Sequence, residues 1–208
     1  MFRLIEPLPD LEQRKLKELR DFIHDHKKVL IAYSGGVDSS LVAAIAYEQL
    51  GQRAIAVTGV SPALAPYLLK EARRQAIWLG IEHRECKTNE LDDPAYTSNP
   101  IDRCYACKQE LHLNLKKIST ENKGFQVFDG VNYSDISDYR PGIKAAHQAG
   151  VISPLVEVKI EKTSVRNISK SLGLPWWDKP SQPCLASRFP YGQEINSQQL
   201  ERVCLAED

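Results

Sequence analysis

Long apolar runs, an excess of charge of either sign and an export signal are all missing from this 208-residue sequence. No run approaches the ~20 apolar residues that cross a bilayer, which excludes a transmembrane helix. The opening stretch MFRLIEPLPD has charges and prolines where a signal peptide has its apolar segment. The 27 basic and 27 acidic residues balance, so no overall positive field attracts nucleic acid. We expect a cytoplasmic protein that binds neither membranes nor nucleic acid.

Cysteine is also scarce, with five residues, and without an export signal these are more typical of free thiols, metal ligands or catalysts than of disulfides. Cys104 and Cys107 have the two-residue spacing of a metal or redox pair, and Cys184 lies in a proline-rich loop. Three thiolates do not complete a tetrahedral zinc site, whereas three can hold a 4Fe-4S cluster with one iron open. The pattern leaves two alternatives open, plain core thiols and a redox pair at a helix end.

What the sequence does contain is an alternation of strand-length and helix-length apolar segments over its first 150 residues. The predicted strands lie within residues 29–34, 53–60, 81–88 and 123–132. Helices are predicted over 11–27 and 61–80, the second ending at Gly80. This alternation predicts an α/β fold with a doubly wound, mainly parallel sheet, in which ligands bind beyond the carboxyl ends of the strands.

The pattern changes after residue 150. One helix is predicted with its cap at Thr163 and its end at Gly173, and another begins near Asn196. A proline-rich, aromatic loop lies between them. We expect residues 1–150 to form one nucleotide-binding domain and residues 151–208 to be the start of a smaller C-terminal domain for the substrate and its chemistry, which is truncated or incomplete.

The stretch SGGVDSS joins the first strand to an apolar helix. Its glycines let backbone amides turn inward, and the helix adds its positive end, so the joint suits a pyrophosphate group. Asp38 is the predicted Mg²⁺ ligand. The lysine of the G-x-x-x-x-G-K-[ST] loop is missing, which points to chemistry at the α phosphate. The predicted cradle comprises Ser34, Gly35, Gly36, Val37, Asp38, Ser39 and Ser40.

This string resembles the pyrophosphate loop of the PP-loop superfamily, the N-type ATP pyrophosphatases, which includes NAD and GMP synthetases. The resemblance implies an adenine nucleotide alpha hydrolase-like fold and transfer of AMP to a carboxylate oxygen. Asp129, Asn132 and Asp135 in DGVNYSD resemble a segment found near the nucleotide and metal in these enzymes. Ser61 matches the position where the second strand meets the adenosine, although a plain helix cap is the alternative.

Several strings in one order narrow the resemblance further; they are SGGVDSS, NPIDRCYACK, DGVNYSDISDYRPGIKAA, SPLVEV and WWDKPSQPCLASRFPYG. Together they resemble the LarE family, ATP-dependent sulfur transferases of nickel-pincer nucleotide cofactor biosynthesis. The resemblance implies adenylation of pyridinium-3,5-biscarboxylic acid mononucleotide and its conversion to a thiocarboxylate. It implies sulfur delivered at Cys184, whose Cβ–S bond breaks in some members, or a 4Fe-4S cluster held by Cys104, Cys107 and Cys184. ATP, Mg²⁺ and this cluster are the implied cofactors.

Positive charge is needed for the carboxylates and phosphate of such a substrate. Arg188, with Ser187 beside it, is the predicted catalytic partner of Cys184, because a guanidinium pairs oxyanions and lowers the pKa of a nearby thiol. A surface arginine without a role is the alternative. Further candidates for binding anions are Arg103, Lys108, Arg140 and Lys179.

The expected partner is a small nucleotide-like molecule, and the protein is expected to be a homo-oligomer. Three alternative functions stay open at the level of sequence. They are a tRNA-thiolating PP-loop enzyme, an ammonia-dependent amide-forming synthetase, and a nucleotide sensor that has lost its chemistry.

Overall fold

The computed structural model describes residues 2–122 and 124–207. These residues form four strands, β1 Val29–Ala32, β2 Ala54–Val60, β3 Glu82–Lys87 and β4 Gln126–Phe128. They form nine α-helices, α1 Asp10–His24, α2 Val37–Leu50, α3 Pro66–Leu79, α4 Pro94–Thr97, α5 Arg103–Glu121, α6 Pro141–Gln148, α7 Pro154–Glu157, α8 Lys162–Ser171 and α9 Ser197–Glu207. The predictions for Met1, Lys123 and Asp208 lie outside the described residues.

The four strands are parallel and lie in the order β3-β2-β1-β4. The chain moves outward from β1 to β2 and β3, and it then returns to the other side of β1 as β4. This reversal creates a crevice outside the carboxyl ends of β1 and β4, where ligands bind in doubly wound sheets. The predicted α/β fold with a mainly parallel sheet is confirmed.

Helices cover both faces of the sheet. Val29 and Ile31 of β1 belong to the core that also contains residues of α1, α2, α3 and α8. Leu30 and Ala32 face the other way and pack in a cluster with Leu115 of α5. All four β1 residues are therefore buried, which explains why this strand is a continuous apolar run instead of an alternating one.

One predicted helix boundary is wrong. Helix α8 begins at Lys162, with Glu161 in the cap position, and not after a cap at Thr163. The backbone N–H of Lys162 donates to Ser134 Oγ at 3.1 Å, so a residue from another segment provides an acceptor that a local cap would otherwise supply. The predicted end is close, since α8 stops at Ser171 and Gly173 has a φ of 74°.

The residues after 150 contribute to two clusters. Leu155 and Ile168 belong to the main core beside the sheet. Leu185 and Leu200 instead pack in a second cluster that includes Tyr96. A domain boundary at residue 150 stays a prediction.

Candidate functional site

The SGGVDSS segment lies where β1 ends and α2 begins. Gly36 occupies the cap position of α2, and its N–H donates to Ser34 Oγ at 3.3 Å. Gly35 has a φ of +72°, and a Cβ added there would approach Ala72 Cα at 3.2 Å, so both its backbone and its surroundings favour glycine. The first N–H groups of α2 have no partners within the helix, and together with its positive end they suit an anion.

The residues of this segment form two groups, one that lines a cavity and one that is buried in the core. Ser34, Gly36, Asp38 and Ser39 line a cavity of about 560 Å³. Val37 lies in the main core, and Ser40 is buried, with its hydroxyl donating to Gln75 Oε1 at 2.9 Å. The structure therefore separates the predicted cradle into a cavity-facing set and a core-facing set.

The segment after β4 closes tightly over the start of α2. A Cβ on Gly130 would lie 2.6 Å from the backbone nitrogen of Ser39, which no real side chain tolerates. Asp129 accepts a hydrogen bond from the N–H of Val131 at 3.1 Å and lines the cavity. Burial raises the pKa of Asp129 above its usual value, and hydrogen bonds from Ser153 and Val131 oppose this.

Asp38 and Asp135 are held in a network of paired charges. The side-chain amide of Asn132 donates to Asp38 Oδ1 at 3.2 Å and to Asp135 Oδ2 at 2.9 Å. The ammonium of Lys162 pairs with Asp38 Oδ2. Arg140 pairs with Asp135 Oδ1 at 2.8 Å. The carboxylates beside the loop are therefore held in place by cationic or amide partners.

The predicted cysteines lie across the same cavity. Cys104 and Cys107 are in the first two turns of α5, Cys184 immediately precedes the short turn Leu185–Arg188, and all three line the cavity. Burial, reinforced by the charge of Glu90, raises the pKa of Cys107 to about 12. Burial also raises the pKa of Cys184, although the charge of Arg103 acts in the opposite direction. Both thiols are therefore protonated at neutral pH.

The three thiols are the kind of ligand that an iron-sulfur cluster uses, but their side chains are not grouped around a common metal position. Within residues 2–122 and 124–207, no three His, Cys, Asp or Glu side chains are grouped closely enough to hold a metal ion. Three thiols that share one cavity nevertheless supply the donors that a cluster with three cysteine ligands uses. The carboxylates of Asp38, Asp129 and Asp135 line the same cavity and suit Mg²⁺ that is shared with phosphates.

The predicted cations are not all brought to the site. Lys108 and Arg140 line the cavity. Arg103 is buried, and its guanidinium donates to the carbonyl oxygen of Ala186 at 3.0 Å, two residues from Cys184. Lys179 lies elsewhere, paired with Glu71 beside a second cavity.

The geometry around Arg188 differs from the sequence expectation. Arg188 pairs with Glu207 Oε1 of α9 at 2.5 Å and donates to Ser187 Oγ at 2.7 Å. Ser187 Oγ in turn donates to the carbonyl oxygen of Cys184 at 2.8 Å. Neither Arg188 nor Ser187 is among the residues that line the cavity. The charge of Arg103 opposes the effect of burial on the pKa of Cys184, and Cys184 in turn contributes to the raised pKa of Arg188, after its larger interaction with Glu207.

Four residues at this site were not singled out from the sequence, although the segment TNELDDPAYTSNP that contains two of them was expected to lie there. Lys162 pairs with Asp38 across 124 positions of sequence, which no local pattern indicates. Glu90, Tyr96 and His112 are buried and line the cavity. Glu90 and Tyr96 lie in the segment TNELDDPAYTSNP that follows β3, so their position after a strand was the available signal. His112 lies within α5 and had none.

Ser61 connects the end of β2 to this missed group. Its hydroxyl donates to Glu90 Oε1 at 2.5 Å and accepts a hydrogen bond from the N–H of Ala63 at 3.2 Å. Ser61 also lines the cavity. Ser61 therefore stabilises the turn after β2 and also forms part of the cavity wall.

As a whole the cavity is lined by residues of the SGGVDSS segment, at the start of α2, and by the three thiols Cys104, Cys107 and Cys184. The first half suits a polyphosphate, and the second suits attack on a carbon that the phosphate chemistry has activated. None of the described helices, over residues 2–122 and 124–207, is long and apolar enough to span a membrane.

Comparison with known proteins agrees with this architecture. A family model described as asparagine synthase matches residues 20–104. An uncharacterized protein of Synechocystis sp. is 55% identical over 195 residues, covering 94% of this chain and 73% of that protein. The pyridinium-3,5-bisthiocarboxylic acid mononucleotide synthase of Lactiplantibacillus plantarum is 34% identical over 186 residues, covering 89% of this chain and 67% of that enzyme.

A solved structure supports the fold. The NMN synthetase from Francisella tularensis superimposes with a TM-score of 0.68, covering 93% of this chain and 92% of that chain. The sequence identity between the two is 18%, so this likeness concerns the fold alone.

Proposed function

This chain belongs to the LarE family of ATP-dependent PP-loop enzymes, and on that premise we propose that it is a sulfur transferase. The proposed substrate is pyridinium-3,5-biscarboxylic acid mononucleotide, one carboxylate of which is adenylated and then converted to a thiocarboxylate. The protein would act as a homo-oligomer in the cytoplasm. Ser34, Gly36, Ser39 and the start of α2 would hold the departing pyrophosphate, with Asp38, Asp129 and Asp135 near Mg²⁺.

In the first step a carboxylate oxygen of the substrate attacks the α phosphorus of ATP. The bond from that phosphorus to the bridging oxygen breaks, and pyrophosphate leaves with the electron pair. We assign Lys162 to neutralise charge here, because its ammonium pairs with Asp38, which lines the cavity. It would supply the positive charge that the missing P-loop lysine supplies in other nucleotide sites.

In the second step the Cys184 thiolate attacks the activated carbonyl carbon, and AMP leaves. The resulting thioester releases its product when a base removes the Cα proton of Cys184 and the Cβ–S bond breaks, which leaves dehydroalanine and the thiocarboxylate. Cys184 must lose its thiol proton first, and the Arg103 charge favours this by lowering the pKa of Cys184 against the effect of burial.

Cys104, Cys107 and Cys184 would hold a 4Fe-4S cluster, which when bound supplies sulfide and spares Cys184. The observation that carries the proposal is the shared cavity, since one space is lined by the SGGVDSS segment and by these three thiols. Lys108 and Arg140 line it as well and would pair the remaining anionic groups of the substrate.

The test is a single-turnover reaction with ATP, Mg²⁺ and the dicarboxylate, followed by intact-protein mass spectrometry. We expect pyrophosphate and AMP to form in equal amounts, and cluster-free protein to lose the mass of one H₂S at Cys184. In a separate multiple-turnover reaction supplied with sulfide, protein purified without oxygen and containing iron and sulfide is expected to form more than one thiocarboxylate per chain without this loss.

A matched pair of variants distinguishes the loss of the reacting thiol from the effect of replacing any cysteine with serine. Cys184→Ser is expected to release pyrophosphate but to form no thiocarboxylate. Cys86→Ser alters a half-buried thiol on β3 that does not line the cavity, so it is expected to behave as wild type. Thiocarboxylate formation by Cys184→Ser, or the absence of dicarboxylate-dependent pyrophosphate release in the wild type, would contradict the proposal.

A further inference from the structure

Asn99, four residues before the start of α5, is a buried polar residue with an unusual backbone. It is 0% exposed and has a φ of 52°, one of two non-glycine residues with a positive φ in the part of the chain that the structure describes. Asparagine adopts this left-handed conformation more readily than most residues, because its short side chain forms local hydrogen bonds. Such a residue persists only where its surroundings fix it, so its contacts indicate what it does.

Asn99 contacts the segment after Cys184 through its side chain and its backbone. Its Nδ2 donates to the carbonyl oxygen of Pro190 at 2.8 Å and, at 3.4 Å, to that of Phe189. Its own carbonyl oxygen accepts a hydrogen bond from the N–H of Gly192 at 2.9 Å. Hydrogen bonds from two separate groups of one residue therefore fix this stretch of chain.

The side-chain oxygen of Asn99 contacts Arg103, the first residue of α5. One guanidinium nitrogen of Arg103 donates both to Asn99 Oδ1 and to the carbonyl oxygen of Ala186, the latter at 3.0 Å. Arg103 is 6% exposed, and none of the ion pairs among residues 2–122 and 124–207 involves it. A buried guanidinium without a carboxylate depends on such neutral oxygens, so Asn99 fixes the direction in which Arg103 points.

The segment that carries Cys184 depends on contacts with the rest of the molecule. Residues 179–183 form neither helix nor strand, and residues 180–183 are exposed. The N–H of Leu185 donates to the carbonyl oxygen of Ala63 at 2.9 Å, and Leu185 packs in the second apolar cluster. The Asn99 and Arg103 side chains add the polar contacts that join this segment to the start of α5.

This joint connects the two parts of the chain that carry the cavity thiols. Cys104 and Cys107 follow Arg103 in the first two turns of α5, and Cys184 lies two residues before Ala186. All three thiols line one cavity. The hydrogen bond from Arg103 to Ala186 therefore ties Cys184 to the helix of the other two cysteines.

We propose that Asn99 is a positioning residue, which fixes the Cys184 segment against the start of α5 so that Cys184 shares the cavity with Cys104 and Cys107. It acts chiefly through Arg103, which it orients toward the Ala186 carbonyl. The inference rests on the proposed function and deepens it, since misplacing an attacking atom by about 1 Å can slow a reaction roughly 100-fold. The placement itself is measurable without any reaction.

The placement is measured by cross-linking the reduced, cluster-free protein with bis-methanethiosulfonate reagents of increasing spacer length. Peptide mass spectrometry identifies the links between Cys184 and either Cys104 or Cys107. The shortest reagent that links them in the wild type is applied to the variants, below the melting temperature of each. Asn99→Gly keeps the left-handed backbone and removes the side chain. We expect its yield of these links to fall about fivefold or more, the change in population that one lost hydrogen bond produces.

Two further variants separate the role of the side chain from that of the backbone. Asn99→Asp keeps an oxygen that accepts from Arg103, so the bond from Arg103 to Ala186 is preserved and most of the link yield is expected to return. Lys159→Gly is the matched control. Lys159 also has a φ of 52°, is exposed and does not line the cavity, so its replacement is expected to leave the link yield unchanged.

The chemical consequence is a difference between the two steps of the proposed reaction. In single-turnover reactions with ATP, Mg²⁺ and the dicarboxylate, Asn99→Gly is expected to release pyrophosphate at the wild-type rate. Its thiocarboxylate formation is expected to fall by about 10- to 100-fold, because the thiol no longer lies within reach of the activated carbon. A variant that is merely less stable would instead slow both steps in proportion to its folded fraction.

Several results would overturn the inference. They are an absence of these links in the wild type, an unchanged link yield in Asn99→Gly, no recovery in Asn99→Asp, and equal losses in the two reaction steps. Failure of Asn99→Gly to fold would also overturn it, since Asn99 would then serve the fold alone. Absence of dicarboxylate-dependent pyrophosphate release in the wild type overturns the proposed function instead, and the link yields still decide the placement of Cys184.

Discussion

The two sides of the cavity satisfy their polar groups in opposite ways. On the nucleotide side, Asp38 is paired with Lys162 and with the amide of Asn132, and Asp135 is paired with Arg140. These partners come from separate segments after β1, β4 and residue 160. The side that is expected to receive the most heavily charged ligand is therefore already organised before the ligand arrives, which reduces the cost of ordering it.

On the sulfur side the corresponding groups are buried but unpaired. Glu90 Oε2, the Tyr96 hydroxyl and both ring nitrogens of His112 have no hydrogen-bond partner within the described residues. Such groups oppose folding, because burial removes the water that would otherwise form hydrogen bonds with them. The comparison shows that the carboxylates on the nucleotide side have partners within the protein, whereas these polar groups on the sulfur side do not.

The largest expected effect on stability and ATP affinity comes from disrupting the contact between the DGVN segment and the start of α2 on the nucleotide side. In Gly130→Ala the new Cβ would lie 2.6 Å from Ser39 N and 2.8 Å from Ser39 Cα, so either the DGVN segment or the first turn of α2 must move. Because the colliding atoms are backbone, we expect a loss of about 3 kcal/mol in unfolding free energy, the upper end of the usual cost of overpacking. ATP affinity is expected to fall at least about tenfold, which corresponds to 1.4 kcal/mol.

Gly124→Ala is the control for backbone strain without collision. Gly124 has a φ of +80° and no atom within 4 Å of the added Cβ, so its cost is expected to be about 1 to 2 kcal/mol with ATP affinity unchanged. Urea denaturation and calorimetric titration measure both quantities. Equal effects of the two variants on ATP affinity would show that the loop is not preformed.

The second-largest expected effect is a pH dependence of the unfolding free energy that arises from His112, one of the unpaired groups on the sulfur side. Burial, with the nearby charge of Lys108, lowers the pKa of His112 to about 4. The unfolded chain binds this proton below its ordinary pKa of 6.5, whereas the folded protein does not bind it until pH approaches 4. The unfolding free energy is therefore expected to fall by up to roughly 3 kcal/mol as the pH drops through this window.

His112→Leu is expected to remove that part of the pH dependence, because it replaces an unpartnered ring with an apolar side chain. His147→Leu alters an exposed histidine at the end of α6 and is expected to leave the pH profile unchanged. Denaturation series between pH 7 and pH 4 distinguish the two. Parallel profiles for wild type and His112→Leu would mean that the His112 ring finds a partner in solution.

How much of this comparison can be predicted from sequence differs between its two sides. Local sequence patterns are sufficient to predict the parallel sheet and the SGGVDSS loop. A buried strand, two glycines and a helix start follow one another within residues 29–50. The same applies to DGVN and to the Cys104 and Cys107 pair. Their convergence follows from the rule that parallel strands end at one edge of the sheet.

Local sequence patterns cannot predict which side chains pair with each other in the folded protein. Lys162 and Asp38 are 124 positions apart, and the sequence around Lys162 resembles any solvent-exposed helix start. In the sequence Arg103 precedes Cys104 and Arg188 follows Cys184 by four residues. Only packing determines that Arg103 is buried against the Ala186 carbonyl, whereas Arg188 pairs with Glu207. Glu90 looks like one acid among several in TNELDD until its burial is known.

The smallest expected effect concerns Asp129, the one buried acid on the nucleotide side whose pKa is raised by burial. A raised pKa means that this group favours the folded state below its ordinary pKa and that the contribution is lost as the pH rises through the folded value. Asp129→Asn is therefore expected to gain less than about 1 kcal/mol of stability at pH 7, a gain that disappears in acid.

Asp138→Asn supplies the comparison, because Asp138 is exposed and paired only with Arg140 at the surface. It is expected to change stability little at any pH. Asp129→Asn is also expected to weaken Mg²⁺-dependent ATP binding, since it removes a carboxylate from the cavity wall. A loss of stability at pH 7 in Asp129→Asn would mean that its hydrogen bonds from Val131 and Ser153 outweigh the cost of burying its charge, so that the nucleotide side is satisfied even at its most buried acid.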